Sequence, residues 1–421
     1  MTGFGGFVAA AARAGELVVQ PRMGFGDPAR MRAGLAATRD AGVRAVGTIT
    51  LDSFTRVGEH DSVRAAFADG KQLNGYPIVD HPLAVTRSVL DGVLGPDFPV
   101  QVRHGSPRPQ RIVAALIAAG LDATEGGPIS YCLPYSRVPV EESVRAWTES
   151  TRMLAELRSL GRRPHLETFG GCMMAQLCPP ALLVAISLLE AVFFRRLGVD
   201  SVSLSYAQQT HPGQDAEALR ALRALAARFL PDTDWHVVVY TFMGSFPRTP
   251  GGAMALLADA ARLSVRGGAE RLIVKTVAEA HRIPTVEENV DALRVAAAAA
   301  AAQRSAPAPA AVEDTGVAAQ ATAIVEAVLD LHADLGAGLA RAVTTGLLDV
   351  PYCLHPDNAG QTRATVDGSG RLQWTRTGAL PLRGLAETGG ELTTAGQLLQ
   401  ALSYLERKFD DAALERECVL T

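Results

Sequence analysis

The sequence predicts an α/β fold of the TIM (β/α)8 type with a C-terminal helical and hairpin extension. Three observations predict it. Short β-branched runs alternate with Ala/Leu/Arg-rich helical segments of three to five turns, the pattern of repeated βα units around a buried parallel sheet. The 421 residues suit one large barrel with extensions, since such barrels take roughly 250 residues or more. Arginines recur at the C-terminal ends of strand candidates, where a barrel keeps its active-site mouth.

The elements follow in order. The N-terminal stretch MTGFGGFVAAAARAGELVV reads as a helical lead-in and not as a secretory signal, because no basic residue precedes its apolar run. Strand candidates lie at 16–22, 45–52, 77–81, 98–104, 121–125, 164–169, 201–206, 236–243 and 271–275. These are nine where a barrel takes eight, and 77–81 and 121–125 are the weakest. Helices are expected at 28–41, 82–94, 141–160, 180–197, 214–229, 250–266 and 285–303. The stretch 294–313 runs from poly-Ala into alternating Ala-Pro, a helix ending in a stiff connector. Beyond it, 317–346 reads as one more helix and 363–376 as a hairpin around Asp-Gly-Ser-Gly. The expected division is a catalytic barrel over 8–346, including the helix after the connector, and an extension over 347–421.

Composition excludes several classes. Forty basic against 44 acidic residues, 48% hydrophobic and 20% charged, argue against disorder and against a basic nucleic-acid binder. No window approaches ~20 continuous apolar residues, so a membrane span is not expected. Five scattered cysteines without CxxC or CxxH spacing indicate neither a disulfide framework nor a structural zinc site, and a reducing cytoplasm fits. The nine histidines lack HExxH or HxxxH spacing, so no metal is expected. Gly24-Phe-Gly26 lacks the third glycine of a dinucleotide loop, and neither a Walker motif nor GxSxG is present.

The chemistry-bearing residues cluster near strand ends. Arg22 closes ELVVQPR, Arg56 follows TITLDSFT, and Arg103 closes FPVQVR with His104 behind it. In a barrel these guanidiniums converge on the mouth, and their forked donors match carboxylates, which suggests a small anionic substrate such as a dicarboxylate. The alternative is that each merely pairs with a neighbouring acid. Glu125-Gly-Gly-Pro-Ile-Ser-Tyr-Cys-Leu-Pro-Tyr135 brings a carboxylate, two glycines and two tyrosines into one loop. Such a loop can approach a ligand closely, although a Gly/Pro turn with packed aromatics is the commoner meaning. Of the 40 basic residues only Lys71, Lys275 and Lys408 are lysines. Lys275 ends an apolar run, where an ammonium is costly unless partnered or snorkelling, and Glu279 stands four residues on as an ion-pair candidate.

Taken together, QPRMG (20–24), TLDSFTR (50–56), LNGYP (73–77), RHGSP (103–107), EGGPISYCLPY (125–135), FMGSFP (242–247) and IVKTVAEAHRIPT (273–285) resemble the large subunit of adenosylcobalamin-dependent glutamate mutase, the methylaspartate mutase epsilon subunit. The resemblance covers about residues 10 to 360 and extends weakly into LLDVPY (347–352), DNAG (357–360) and the hairpin. It implies a TIM barrel capped by a small, sigma-like cobalamin-binding subunit. It also implies an isomerase that interconverts L-glutamate and (2S,3S)-3-methylaspartate by a radical carbon-skeleton rearrangement. The expected assembly is a heterotetramer built on a dimer of large subunits. Carried over by position, Arg22, Arg56 and Arg103 grip the substrate carboxylates with His104 beside them, Glu125 meets the amino group, and Tyr131 and Tyr135 supply hydroxyl contacts. Gly24, Asn74, Pro134, Phe246, Lys275, Glu279 and Ile283 line the cobalamin or its adenosyl group, with Lys275 and Glu279 at the ribose.

The sequence departs from the family pattern at 166–176 (LETFGGCMMAQ) and 206–211 (YAQQTH), which line or buttress the pocket and leave room for a different acid. It starts later than typical members, without their N-terminal arm, which leaves the dimer contacts open. Cobalamin ligation belongs to an Asp-x-His-x-x-Gly loop of the small subunit. The similar Asp330-Leu-His332-Ala-Asp-Leu-Gly336 is one residue too long, falls within a predicted helix and reads as chance. An Ala- and Arg-rich composition suggests a biosynthetic relative that supplies 3-methylaspartate to a natural product. Two other readings compete: a cofactor-independent barrel lyase or aldolase acting on a small dicarboxylate, and a non-catalytic homologue that binds ligand without turnover.

Overall fold

The computed structural model describes residues 3–170, 177–307, 312–386 and 394–420. Eight parallel strands follow one another around a barrel: β1 (Val18–Pro21), β2 (Gly47–Thr50), β3 (Val100–Arg103), β4 (Ala123–Glu125), β5 (His165–Glu167), β6 (Ser201–Ala207), β7 (Asp234–Tyr240) and β8 (Arg271–Val274). The ladder runs from β2 through β8 to β1. Two backbone hydrogen bonds, Val19 N to Arg44 O (2.9 Å) and Val46 N to Val19 O (3.3 Å), close it between β1 and β2. Every pairing is parallel, so each connection is a crossover, and helices such as Pro28–Arg39, Gln110–Ala119, Val140–Glu156, Pro180–Arg196, Pro212–Phe229, Pro250–Gly267 and Val286–Ser305 form the outer ring.

Period-two alternation sorts the strand residues. Val19, Ile49, Val102, Leu166, Val202, Val237 and Leu272 are fully buried in the core shared with the helices. The alternate positions form a polar interior. Gln20 Nε2 donates to Thr48 Oγ1 (2.9 Å) and Gln101 Oε1 (2.7 Å), and Gln101 Nε2 donates to Glu167 Oε2 (3.2 Å). Arg271 pairs with Glu167 and Gln20 and reaches His236 Nε2 at 3.2 Å. Such a buried network is tolerable only because each member finds partners. Below it, the helix Phe4–Arg13 plugs the N-terminal end, with Phe4, Phe7 and Val8 against Val18, Val46 and Ala123. Phe4 also stacks on His165, with ring centroids 4.9 Å apart.

Three expectations need correction. The ninth strand candidate, 77–81, is a turn: only Tyr76 bridges to Leu51, and Asp80 N turns back to Pro77 O at 3.0 Å. Pro77 and Pro82 remove the donors that a ladder needs. The single helix expected over 317–346 is two, Val317–Leu329 and Leu335–Thr345. The break falls where Asp334 accepts the Ala337 amide (2.9 Å) and caps the second helix. Asp330 and His332 therefore lie in a turn and not inside a helix, and His332 Nδ1 accepts the Asp334 amide at 3.0 Å. The helices Ser53–Val57 and His60–Ala68, also unforeseen, follow β2.

Beyond the barrel come an antiparallel hairpin, β9 (Arg363–Val366) with β10 (Leu372–Arg376), and the helices Ala395–Leu402 and Tyr404–Leu420. Leu405, Tyr404 and Phe409 pack on Phe242, Phe246 and Leu256 at the edge of the mouth. Among the described residues no helix is long and apolar enough to cross a membrane.

Candidate active site

Strand register brings the charged residues to one end. Arg103, Glu125, Glu167 and Tyr240 are the last residues of β3, β4, β5 and β7, and Arg22 and Lys275 lie one residue past β1 and β8. All six sit at the C-terminal mouth, where barrel chemistry is carried.

One cluster centres on Glu125. Arg103 Nε lies 2.8 Å from Glu125 Oε2, and both side chains are almost wholly buried. Tyr131 donates to Glu125 Oε1, and Tyr240 Oη lies 2.7 Å from Oε2 while also contacting Glu167 Oε1. The Arg103 guanidinium also lies over the Tyr240 ring at 5.2 Å. Burial works against the Arg103 charge, but Glu125 and the two phenols outweigh it and hold the group protonated. Burial and the neighbouring carboxylates push the Tyr131 and Tyr240 hydroxyls well above the ordinary tyrosine range.

His104 stacks on Trp147 at 5.7 Å, and its Nδ1 accepts the Ser106 amide (3.0 Å). Burial, reinforced by Arg103, lowers it to about 3. It is therefore a neutral imidazole with its proton on Nε2, and that atom has no hydrogen-bond partner among the described residues. Arg56 lies over the Tyr135 ring at 5.6 Å, and its buried Nε also lacks a partner. Gly105, at φ +68°, passes so near that a Cβ there would be 2.9 Å from Arg56 Cδ. Arg56 therefore packs on the turn that carries Arg103 and His104.

A second cluster joins Arg22, Lys275 and Glu279. Glu279 Oε1 is 2.7 Å from Arg22 Nη1 and 3.0 Å from Lys275 Nζ, and the ammonium lies 4.9 Å from the centre of the Phe246 ring. Burial opposes the Glu279 charge, yet Arg22 and Lys275 outweigh it and bring the group down to about 2. The Lys275–Glu279 pair forms across a strand end and the turn after it. Arg22, Gly24, Asn74, Glu279 and Ile283 line one cavity of about 450 Å³. Pro134 lies apart from these, with Arg56 and Tyr135, in a larger cavity of about 1130 Å³ that Leu398 and Leu402 also border.

The loop after β4 is built from behind. Glu190, on the helix Pro180–Arg196, accepts the amides of Ile129 (3.0 Å) and Ser130 (2.9 Å) and the Ser130 hydroxyl (2.8 Å). Gly126, at φ +127°, leaves room for the Tyr131 ring, which a Cβ would meet at 2.4 Å. Sequence reasoning missed Glu190, although a lone carboxylate in ALLVAISLLEAVFF was a usable signal. It also missed Glu167, Tyr240 and Arg271, whose position at strand ends or beside the Glu125 register was the available clue.

Of the departures from the family pattern, 206–211 forms a buttress. Tyr206 Oη lies 2.8 Å from both Gln209 Oε1 and Asp215 Oδ1, Gln209 Nε2 donates to Cys178 O (2.6 Å), and His211 caps the helix Pro212–Phe229. Within 166–176, positions 171–176 lie outside the described residues.

Fold and site define a (β/α)8-barrel protein whose mouth carries an arginine- and carboxylate-lined pocket. Residues 2–390 match the family described as Methylaspartate mutase E chain (MutE). The chain is 30% identical over 349 residues to the glutamate mutase epsilon subunit of Yersinia enterocolitica, covering 79% of this chain and 72% of that one. It is 30% identical over 348 residues to the Desulfitobacterium hafniense subunit and 31% over 347 to that of Halobacterium salinarum, each covering 79% of this chain and 71% of the relative. The chain belongs to the methylaspartate mutase E chain family.

Proposed function

We propose that this chain is the substrate-binding large subunit of an adenosylcobalamin-dependent glutamate mutase, an isomerase that converts L-glutamate into (2S,3S)-3-methylaspartate. The observation that carries the reading is the grouping of the buried Arg103–Glu125 pair with the bare Arg56 Nε and His104 Nε2 at the mouth of a chain of this family. Arg56 and Arg103, with Arg22 from the end of β1 beside them, grip the two carboxylates through forked donors. Neutral His104 adds an uncharged donor from Nε2. Glu125 receives the substrate ammonium, where its carboxylate can accept a proton, and Tyr131 and Tyr135 set the orientation. Phe169 and Trp147, against Tyr131, keep water from the reacting carbons.

The mouth fits the expected cofactor. Gly24, Asn74, Glu279 and Ile283 share one cavity wall, and Lys275 and Glu279 present fixed charge for ribose hydroxyls beside the Phe246 ring. When bound, adenosylcobalamin supplies the radical chemistry that begins and ends the rearrangement. The protein supplies orientation and dryness. Ile283 and Leu354, 50% and 80% exposed, are apolar surface for a small cobalamin-binding subunit, within a cytoplasmic heterotetramer of two large and two small chains.

The test is product analysis after anaerobic mixing of this chain, a small cobalamin-binding subunit of a family member, adenosylcobalamin and L-glutamate, with each component omitted in turn. 3-Methylaspartate formed only by the complete mixture is expected. Conversion of a dicarboxylate without cobalamin would replace the mutase with a lyase or aldolase. Ligand binding without any turnover would leave a binding protein.

A further inference from the structure

Behind Glu125 stands a second buried carboxylate that neither the family resemblance nor the proposed function employs. Tyr240 Oη lies between the two, 2.7 Å from Glu125 Oε2 and in hydrogen-bond contact with Glu167 Oε1. A phenol has one proton to donate. With both carboxylates ionised, the one phenol proton serves Glu167 and leaves the Glu125 contact without a hydrogen, so the trio has a vacant place for one further proton, which the substrate supplies.

The surroundings hold both carboxylates in place. Glu125 faces Arg103 from β3 and Tyr131 from its own loop. Glu167 faces Arg271 from β8, Gln101 from β3 and Ser203 from β6, whose hydroxyl donates to Oε2 at 3.1 Å. His236 on β7 touches Arg271, and burial with that guanidinium keeps it neutral. All of these donors are directed at Glu167 Oε2, so its Oε1 is the oxygen left for Tyr240.

We propose that Glu125, Tyr240 and Glu167 form a proton relay that lets Glu125 receive a proton from the substrate ammonium and pass it on. It rests on the reading of the substrate as an amino dicarboxylate. An N–H bond of the ammonium breaks, its electron pair staying on nitrogen, and an O–H bond forms on Glu125. Glu125 Oε2–H then breaks as a new Tyr240 Oη–H forms, and the original Oη–H breaks as Glu167 Oε1–H forms. Tyr240 ends as the neutral phenol it was, and Glu125 is again a carboxylate. Because tyrosinate is strongly disfavoured here, the two transfers through Tyr240 move together. Tyr240 and Glu167 act through Glu125, as positioning and relay residues.

The test compares wild type with Tyr240→Phe and Glu167→Gln in the intact chain. Turnover of L-glutamate is followed from pH 6 to 9 with small subunit and adenosylcobalamin. Binding of L-glutamate and of glutarate, the same dicarboxylate without the amine, is measured by calorimetry. The relay predicts that both variants lose about a hundredfold in kcat, with a flattened pH profile. Their preference for L-glutamate over glutarate falls, while glutarate binds as before. Equal weakening of both ligands, or unchanged kcat and pH profile, overturns the relay. Tyr240→Phe keeps the ring and fills the same space, so it reports even if Glu167→Gln unfolds by stranding Arg271. If wild type makes no 3-methylaspartate yet prefers L-glutamate, and Tyr240→Phe lowers that preference, the relay stands and only the mutase reading falls.

Discussion

The Glu190 carboxylate occupies the space that any side chain at residue 127 would need: a Cβ on Gly127 would lie 2.1 Å from its Oε1. The EGGPISY loop is folded around this one carboxylate, which ties the Ile129 and Ser130 amides to the helix Pro180–Arg196 and thereby aims Tyr131 at Glu125. Gly127→Ala is expected to cost about 1–3 kcal/mol from overpacking and to lower activity by more than the fraction of protein unfolded. Thermal denaturation and kcat on one preparation check this.

Burial raises Glu190 to about 7, partly offset by the Ser130 and Ile129 amides. The native state thus keeps a proton between the unfolded value near 4.5 and about 7 that the unfolded chain has already lost. Stability from this group falls as pH rises through that window, by on the order of 3 kcal/mol. Glu190→Gln removes the effect, so the Tm of the variant relative to wild type should climb from pH 4.5 to 7 and level off above. A difference independent of pH would contradict it.

Arg103→Lys keeps a charge but not the fork. The buried Glu125 then has a compact ammonium where a planar donor set stood, and a substrate carboxylate loses a matched pair of hydrogen bonds. A loss of at least about a hundredfold in kcat/KM for L-glutamate is expected. Unchanged kinetics would remove Arg103 from the substrate site.

Glu279 holds Arg22 and Lys275 together, 2.7 and 3.0 Å away. Its neutral replacement leaves the buried Lys275 ammonium and the half-buried Arg22 guanidinium to repel one another. Glu279→Gln should weaken adenosylcobalamin binding about tenfold, worth ~1.4 kcal/mol, in a spectroscopic titration of the two-subunit complex. Binding as tight as wild type would show that the triad stands outside the cofactor site.

Asp410, in the helix Tyr404–Leu420, accepts the amides of Arg248 and Thr249 (2.9 Å each) and the Thr249 hydroxyl (2.6 Å). It thus secures the segment that carries Phe246 and starts the helix Pro250–Gly267. Asp410→Ala should cost about 1 kcal/mol, as for a lost cap, and raise the apparent Kd for cobalamin. Denaturant melts and the same titration measure both.

The sequence alone carried the barrel and most of the mouth, because these features are local. Period-two strands between amphipathic helices are written in consecutive residues, and Arg22, Arg103 and Glu125 could be placed by their position at strand ends. It also carried the family, whose motifs are short runs of adjacent residues. Partnership was another matter. The ninth strand candidate was a proline-bounded turn, and the helix after the connector broke at a capping aspartate, because both outcomes depend on competing local hydrogen bonds that hydropathy does not record. Glu167, Glu190, Tyr240 and Arg271 looked like ordinary polar residues in buried elements. Only closure of the barrel sets Tyr240 between two carboxylates 73 and 115 residues away and brings Glu190 under Gly127. Those contacts join residues far apart in the chain, and whether a buried charge is stabilised or stranded depends on the partner that tertiary structure delivers to it.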